Sequence, residues 1–103
     1  MHILIRKGFG QGHTVPLTSS RVTVGRKGDN DIPLLGDLRA SRRHCELVRH
    51  GPTWTIVDVG STNGTFVNGQ RITRPIPLHH GDVIQVGACE LLAMLVPTPE
   101  MSG

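Results

Sequence analysis

The stretch S-R-R-H-C-E-L-V-R-H-G-P-T-W-T-I-V-D-V-G-S-T-N-G-T-F-V-N-G, from Ser41 to Gly69, decides the fold. It contains two β-type runs, 44–48 and 53–58, separated by the turn pair Gly51-Pro52. Side chains alternate across a strand, so Trp54 and Ile56 share one face of the second run, and His44 cannot point the same way as Cys45. A short run, Phe66-Val67, then reaches Asn68-Gly69, a dipeptide suited to a tight hairpin because both residues accept positive φ. Arg71-Ile72 would return on the other side. The segments between these runs are built from glycine, arginine and small hydroxyl or amide residues. Arginine offers a planar fork of donors, Ser41, Ser61 and Thr62 offer hydroxyls, and Asn63 can hydrogen-bond a peptide backbone. That donor set suits a rigid loop cluster that receives an anion, and Gly25-Arg26 adds to it from upstream.

Working outward, the N-terminal side carries runs at 2–6, 14–17 and 21–24, then a brief extended piece at 32–34. Pro16 marks its run as an edge strand, since proline cannot donate to a ladder. Beyond the central stretch, Ile76-Pro77-Leu78, Val83–Val86 and Cys89–Val96 read as further strands. Ten or eleven short β-type runs recurring about every eight to twelve residues predict a β-sandwich. No window sustains the 3.6-residue period of a substantial helix.

The chain has 103 residues, enough for one domain with one core. Residues 1–96 are assigned to that domain, and 97–103, beginning Pro97-Thr98-Pro99, to a disordered tail or the start of a linker. Only 3% of residues are aromatic, so Ile, Leu and Val must fill the core, with Trp54, Phe9 and Phe66 as its bulky members. No apolar run approaches the ~20 residues of a membrane-spanning helix, and no signal-peptide pattern opens the chain. A soluble, cytoplasmic protein without membrane contact is expected. Cys45 and Cys89 sit in apolar strand contexts without metal-type spacing and read as free buried thiols, with a disulfide as the other reading.

The formal net charge is +3, from 11 basic and 8 acidic residues. Arg26, Lys27, Arg39, Arg42 and Arg43 crowd two loop segments that carry no aromatic residue. Polynucleotide binders pair such charge with stacking surface; its absence here points to a small anion such as phosphate, and no nucleic-acid partner is expected. Ser41, His44 and Asp58 supply the residue types of a hydrolase triad, but the G-x-S-x-G elbow is missing. His79-His80 with His2, His13 or His50 have no recognised metal-ligand spacing. Gly8, Gly10 and Gly12 lack the following Lys-Ser/Thr of a nucleotide loop and read as a flexible connection. No enzyme activity, metal or cofactor is expected.

Taken together, Gly25-Arg26, Ser41-Arg42-Arg43-His44, Ser61-Thr62-Asn63-Gly64-Thr65, Asn68-Gly69 and L-x-x-G-D-V-I-x-V-G at 78–87 resemble, in order and spacing, the forkhead-associated (FHA) domain. The resemblance covers nearly the whole chain. It implies an all-β, eleven-stranded sandwich of two mainly antiparallel sheets with binding loops at one end, and a phosphothreonine-dependent peptide- or protein-binding module in Ser/Thr kinase signalling. By matching positions, Arg26 and Ser41 would contact the phosphate, with Arg42 and Thr62 close by, and Asn63 would bond the peptide backbone. Gly25, His44 and Gly64 would brace the loops, and Asn68-Gly69 would form the following turn. Arg39 and Arg43 are candidates for reading residues that flank the phosphothreonine. The matching histidine in the family braces loops, which agrees with reading His44 as a buried, hydrogen-bonded side chain. Cys45 stands where the family often has alanine. A phosphate-independent interaction domain of the same fold is the alternative, and either would work within a larger multidomain protein.

Overall fold

A computed structural model describes residues 1–95. Among these residues eleven strands form two sheets: β1 (His2–Lys7), β2 (Thr14–Pro16), β3 (Arg21–Gly25), β4 (Ile32–Pro33), β5 (Cys45–His50), β6 (Thr53–Asp58), β7 (Thr65–Val67), β8 (Gln70–Arg71), β9 (Ile76–Leu78), β10 (Val83–Val86) and β11 (Cys89–Met94). One sheet runs β2-β1-β11-β10-β7-β8 and the other β4-β3-β5-β6-β9. Every pairing is antiparallel except β3 with β4. This is the sandwich expected from the spacing of the runs, and β2, which holds Pro16, lies at a sheet edge.

The alternation in the sequence becomes the core. Ile3 and Ile5 of β1, Val22 and Val24 of β3, Leu47 of β5, Trp54 and Ile56 of β6, Ile84 and Val86 of β10, and Leu91 and Ala93 of β11 point inward and are buried. Both cysteines are free and buried. Burial, reinforced by the nearby Asp58 charge, pushes the Cys45 thiol up to about 12.

Three expectations are corrected. Phe9 and Phe66 are not core residues: Phe66 is half-buried on the outer face of β7 between the buried Thr65 and Val67, and Phe9 is 47% exposed, because the loop turns at Gly8 and Gly10, with φ of +99° and +78°, carry it out of the strand alternation. The glycine-dense segment is more than a loose connection, since Gly12 N–H donates to Ile5 O and His13 N–H to Gly10 O. The last strand ends at Met94, and the tail assigned to 97–103 lies outside the described residues.

Register places the functional loops. Val24 pairs with Cys45, and Cys45 with Asp58, so β3 ends, β5 begins and β6 ends at the same end of the sheet. The β3–β4, β4–β5 and β6–β7 loops therefore leave the sandwich side by side. Sequence positions as distant as Arg26 and Asn63 thereby become neighbours.

Candidate recognition site on the loops

The loops are held from beneath by His44, which is fully buried. Its Nδ1 accepts the Ser41 N–H at 3.0 Å and its Nε2 lies 2.8 Å from the Gly64 carbonyl. Since Nδ1 is an acceptor, the proton resides on Nε2 and is donated to Gly64. One imidazole thus ties the β4–β5 loop to the β6–β7 loop. Backbone bonds add to it: Arg26 N–H to Ser41 O at 2.9 Å, His44 N–H to Val24 O at 2.8 Å, and Val59 N–H to His44 O at 3.1 Å.

Gly25 is required by close approach. A Cβ there would run into the Arg42 carbonyl and come within 2.9 Å of Asn30 Nδ2. Asn30 itself is nearly buried and donates to Lys27 O at 2.7 Å and Arg42 O at 2.8 Å. It accepts from Arg43 Nη1 at 3.0 Å, while Arg43 Nη2 pairs with Asp29 at 2.9 Å. Arg43 is therefore committed to fastening the two loops together.

Asp58 organises the third loop. Its Oδ1 accepts the Gly60 and Ser61 amides, each at 2.9 Å, and its Oδ2 accepts the Ser61 and Thr65 hydroxyls. Burial pushes this carboxyl upward, but the four hydrogen bonds outweigh it and hold the group below the usual aspartate value. Asp37 plays a matching part for the β4–β5 loop. It receives Ala88 N–H at 2.9 Å, Arg39 N–H at 3.0 Å and the Cys89 thiol at 3.3 Å, and it too is held low against the upward push of burial.

On this frame lies a hollow of 550 Å³ lined by Arg26, Arg39, Ser41, Arg42, Arg43, Thr62 and Asn63, together with Leu38, Ala40 and Gly60. The five residues expected on the phosphopeptide and the two flanking candidates, Arg39 and Arg43, thus line one hollow. The Ser41 hydroxyl accepts the Thr62 N–H at 3.1 Å, which leaves its own proton to donate. Asn63 Nδ2 donates to Arg39 O at 2.8 Å, leaving its carbonyl oxygen to accept. The side chains of Arg26, Arg39 and Arg42 have no hydrogen-bond or ion-pair partner among the described residues. Three guanidinium groups unopposed by carboxylates make the hollow electropositive.

Beyond Arg39 and Leu38 the surface opens into a groove of 440 Å³ whose walls include Phe9, Leu35 and Ala88. Leu38 is 83% exposed and Leu35 47%, so this groove gathers much of the apolar surface that the fold leaves uncovered.

The hydrolase arrangement does not form. Both ring nitrogens of His44 engage backbone groups, Ser41 Oγ faces Thr62, and Asp58 serves its own loop. Asn68-Gly69 is not at the hollow. It turns the β7–β8 hairpin with φ of +52° and +83°, and its Asn68 side chain bonds Val83 N–H and Asp82. Sequence reasoning missed Asn30 and Asp37. Each is an ordinary loop polar residue in the sequence, and its partners lie 12 and 51 residues away.

A β-sandwich that collects guanidinium, hydroxyl and amide groups on loops at one end defines a loop-borne recognition module. The FHA domain model matches residues 22–87, and the chain belongs to the FHA-domain family. The glycogen accumulation regulator GarA of Mycolicibacterium smegmatis is 35% identical over 101 residues, covering 98% of this chain and 63% of that protein. An oxoglutarate dehydrogenase inhibitor of Corynebacterium jeikeium is 38% identical over 90 residues, covering 87% of this chain and 61% of its own. The chain thus spans less than two thirds of the length of either relative. Among solved structures, an FHA domain from a study of phosphothreonine-dependent FHA interactions superimposes with a TM-score of 0.83 at 32% identity, covering 94% of this chain and 97% of its own. Mycobacterium tuberculosis EmbR, solved with a low-affinity phosphopeptide, gives a TM-score of 0.85 at 28% identity, covering 96% of this chain and 25% of EmbR.

Proposed function

We propose that this chain binds phosphothreonine peptides in Ser/Thr kinase signalling, with Arg26 and Ser41 on the phosphate, Arg42 and Thr62 beside it, and Asn63 on the peptide backbone. The observation that carries the reading is the unpartnered set of Arg26, Arg39 and Arg42 around the Ser41 hydroxyl in one preformed hollow. A phosphate brings a charge of about −1.5 to −2 near neutral pH and three strong acceptor oxygens, which match these donors. Loops braced by His44, Asp58 and Asn30 need little ordering on binding, which lowers its entropic cost.

Arg39 stands where the hollow meets the apolar groove. Its guanidinium would favour an acidic residue beside the phosphothreonine, and the walls formed by Phe9, Leu35 and Leu38 would accept an apolar one. Arg43, paired with Asp29, would contribute less to such selection. Residues 1–96 would be the binding unit and 97–103 the start of a connection within a larger, cytoplasmic protein. The relatives' names as a regulator and an inhibitor support a regulatory part played by binding.

The test is titration calorimetry with a degenerate phosphothreonine peptide pool and then single peptides, each beside its unphosphorylated control. Micromolar binding that disappears without the phosphate supports the reading. Equal binding of both forms overturns it in favour of a phosphate-independent interaction.

A further inference from the structure

Five arginine side chains have no hydrogen-bond or ion-pair partner among the described residues: Arg26, Arg39, Arg42, Arg71 and Arg74. The other four are engaged, Arg6 with Glu90, Arg21 with Glu46, Arg43 with Asp29, and Arg49 with Gly51 O. The unengaged five fall into two groups. Three surround the hollow already described; Arg71 rests on Gly64 at the end of the β6–β7 loop, and Arg74 shares a second hollow with it.

Arg71 is placed by packing. Gly64 is buried with φ of +90°, and a Cβ there would come within 2.7 Å of Arg71 Nε, so the guanidinium rests directly on that glycine. Arg74 follows three residues later, and the two flank a polar hollow of 510 Å³ completed by Thr73, Ile72, Pro75 and the end of β6. Asp58 borders this hollow, but its two oxygens are occupied by Gly60, Ser61 and Thr65. Two exposed guanidinium groups and a hydroxyl, whose two positive charges exceed the single negative charge of Asp58, are the donor set of an anion site.

We propose that Arg71 and Arg74 form a second anion subsite, which takes a further phosphorylated residue on the same peptide as the phosphothreonine. The proposal rests on the phosphothreonine reading above. Its geometry follows from the shared loop: Thr62, whose amide reaches Ser41, and Gly64, which Arg71 covers, are two residues apart. At most about 7 Å of chain separates those positions, and an extended peptide crosses that span plus the reach of the side chains in about three to five residues.

The experiment compares a singly phosphorylated threonine peptide with versions carrying a second phosphoresidue three, four or five positions to either side. The proteins are the parent and the Arg71→Gln/Arg74→Gln double variant, in which much of the side-chain stem over Gly64 is kept. A second phosphate at one of these spacings strengthens binding to the parent about tenfold at low salt, an advantage that shrinks as salt rises. The double variant loses that gain while binding the singly phosphorylated peptide within about twofold of the parent. Arginine Nε–H signals in NMR separate the two readings. If the single peptide moves Arg26 but the doubly phosphorylated ones leave Arg71 and Arg74 unmoved, or if the gain survives the double variant, the second subsite is overturned alone. If the single peptide leaves Arg26 unmoved, the phosphothreonine reading fails and takes the second subsite with it.

Discussion

Nε2 of His44 lies 2.8 Å from the carbonyl of Gly64, twenty residues away, in a fully buried position. This bond and the Ser41 N–H donated to Nδ1 set the height of two loops relative to each other. Replacing the imidazole by a methyl group removes both bonds and leaves a cavity. His44→Ala should destabilise the domain by about 2–4 kcal/mol, read as a lowered denaturant midpoint. Ser41→Ala should leave the midpoint within about 0.5–1 kcal/mol of the parent while weakening phosphopeptide binding. The opposite pattern would exchange bracing and contact between the two residues.

Arg26 is half-buried at the rim of the hollow, and its side chain has no partner among the described residues. Hydrogen bonds to charged groups contribute roughly 1.5–3 kcal/mol each. If Arg26 makes two of them to the phosphate, Arg26→Ala weakens binding by ~100-fold or more, with the thermal midpoint little changed. Calorimetry on the folded variant decides it: parent-like affinity would remove Arg26 from the phosphate contact.

Gly25 leaves no room for a side chain between Arg42 O and Asn30. Gly25→Ala must push the β4–β5 loop outward or displace Asn30 from its two carbonyls. The expected cost is more than about 1 kcal/mol of stability, together with loss of phosphopeptide binding, because Arg42 and Ser41 move with that loop. A variant with parent stability and affinity would show that the loops yield at no cost.

Asp58 has its carboxyl held below the ordinary aspartate range by Ser61, Thr65 and Gly60 despite the opposing effect of burial. Its contribution to stability is complete above the unfolded value of about 3.9 and is lost as the pH falls through the lower folded value. The melting temperature should therefore hold from pH 7 to about 4 as far as this group is concerned and then fall. In Asp58→Asn the midpoint is lower at pH 7 and the additional loss on going to pH 3 is smaller. Thermal melts of both proteins across that range give the comparison.

Threonine should be preferred to serine as the phosphorylated residue. One extra methyl against the β6–β7 loop contributes about 0.8 kcal/mol, or roughly fourfold in affinity. Matched peptides differing only in that methyl measure it, and equal affinities would remove the proposed contact.

The chain's own pattern was enough for the sandwich. Alternation in 21–24 and 53–58, the Asn68-Gly69 turn and the even spacing of short runs are local signals, and strand formation follows them because each strand must bury one face. The loop motifs around Arg26, Ser41 and Asn63 were legible too, since glycine, arginine and small polar residues serve recognisable purposes at turns. Tertiary structure alone decided which of these side chains remain free. Arg42 and Arg43 are adjacent and alike in the sequence, yet Arg43 is claimed by Asp29 and Asn30 while Arg42 faces the hollow unpaired. Phe9 looked like core until the loop carried it outward, and Arg71 acquired a neighbour in Gly64 only through the β7–β8 hairpin. The physical reason is common to all three. A hydrogen bond, an ion pair or a packing contact depends on distances between residues far apart in the chain, and strand register sets those distances.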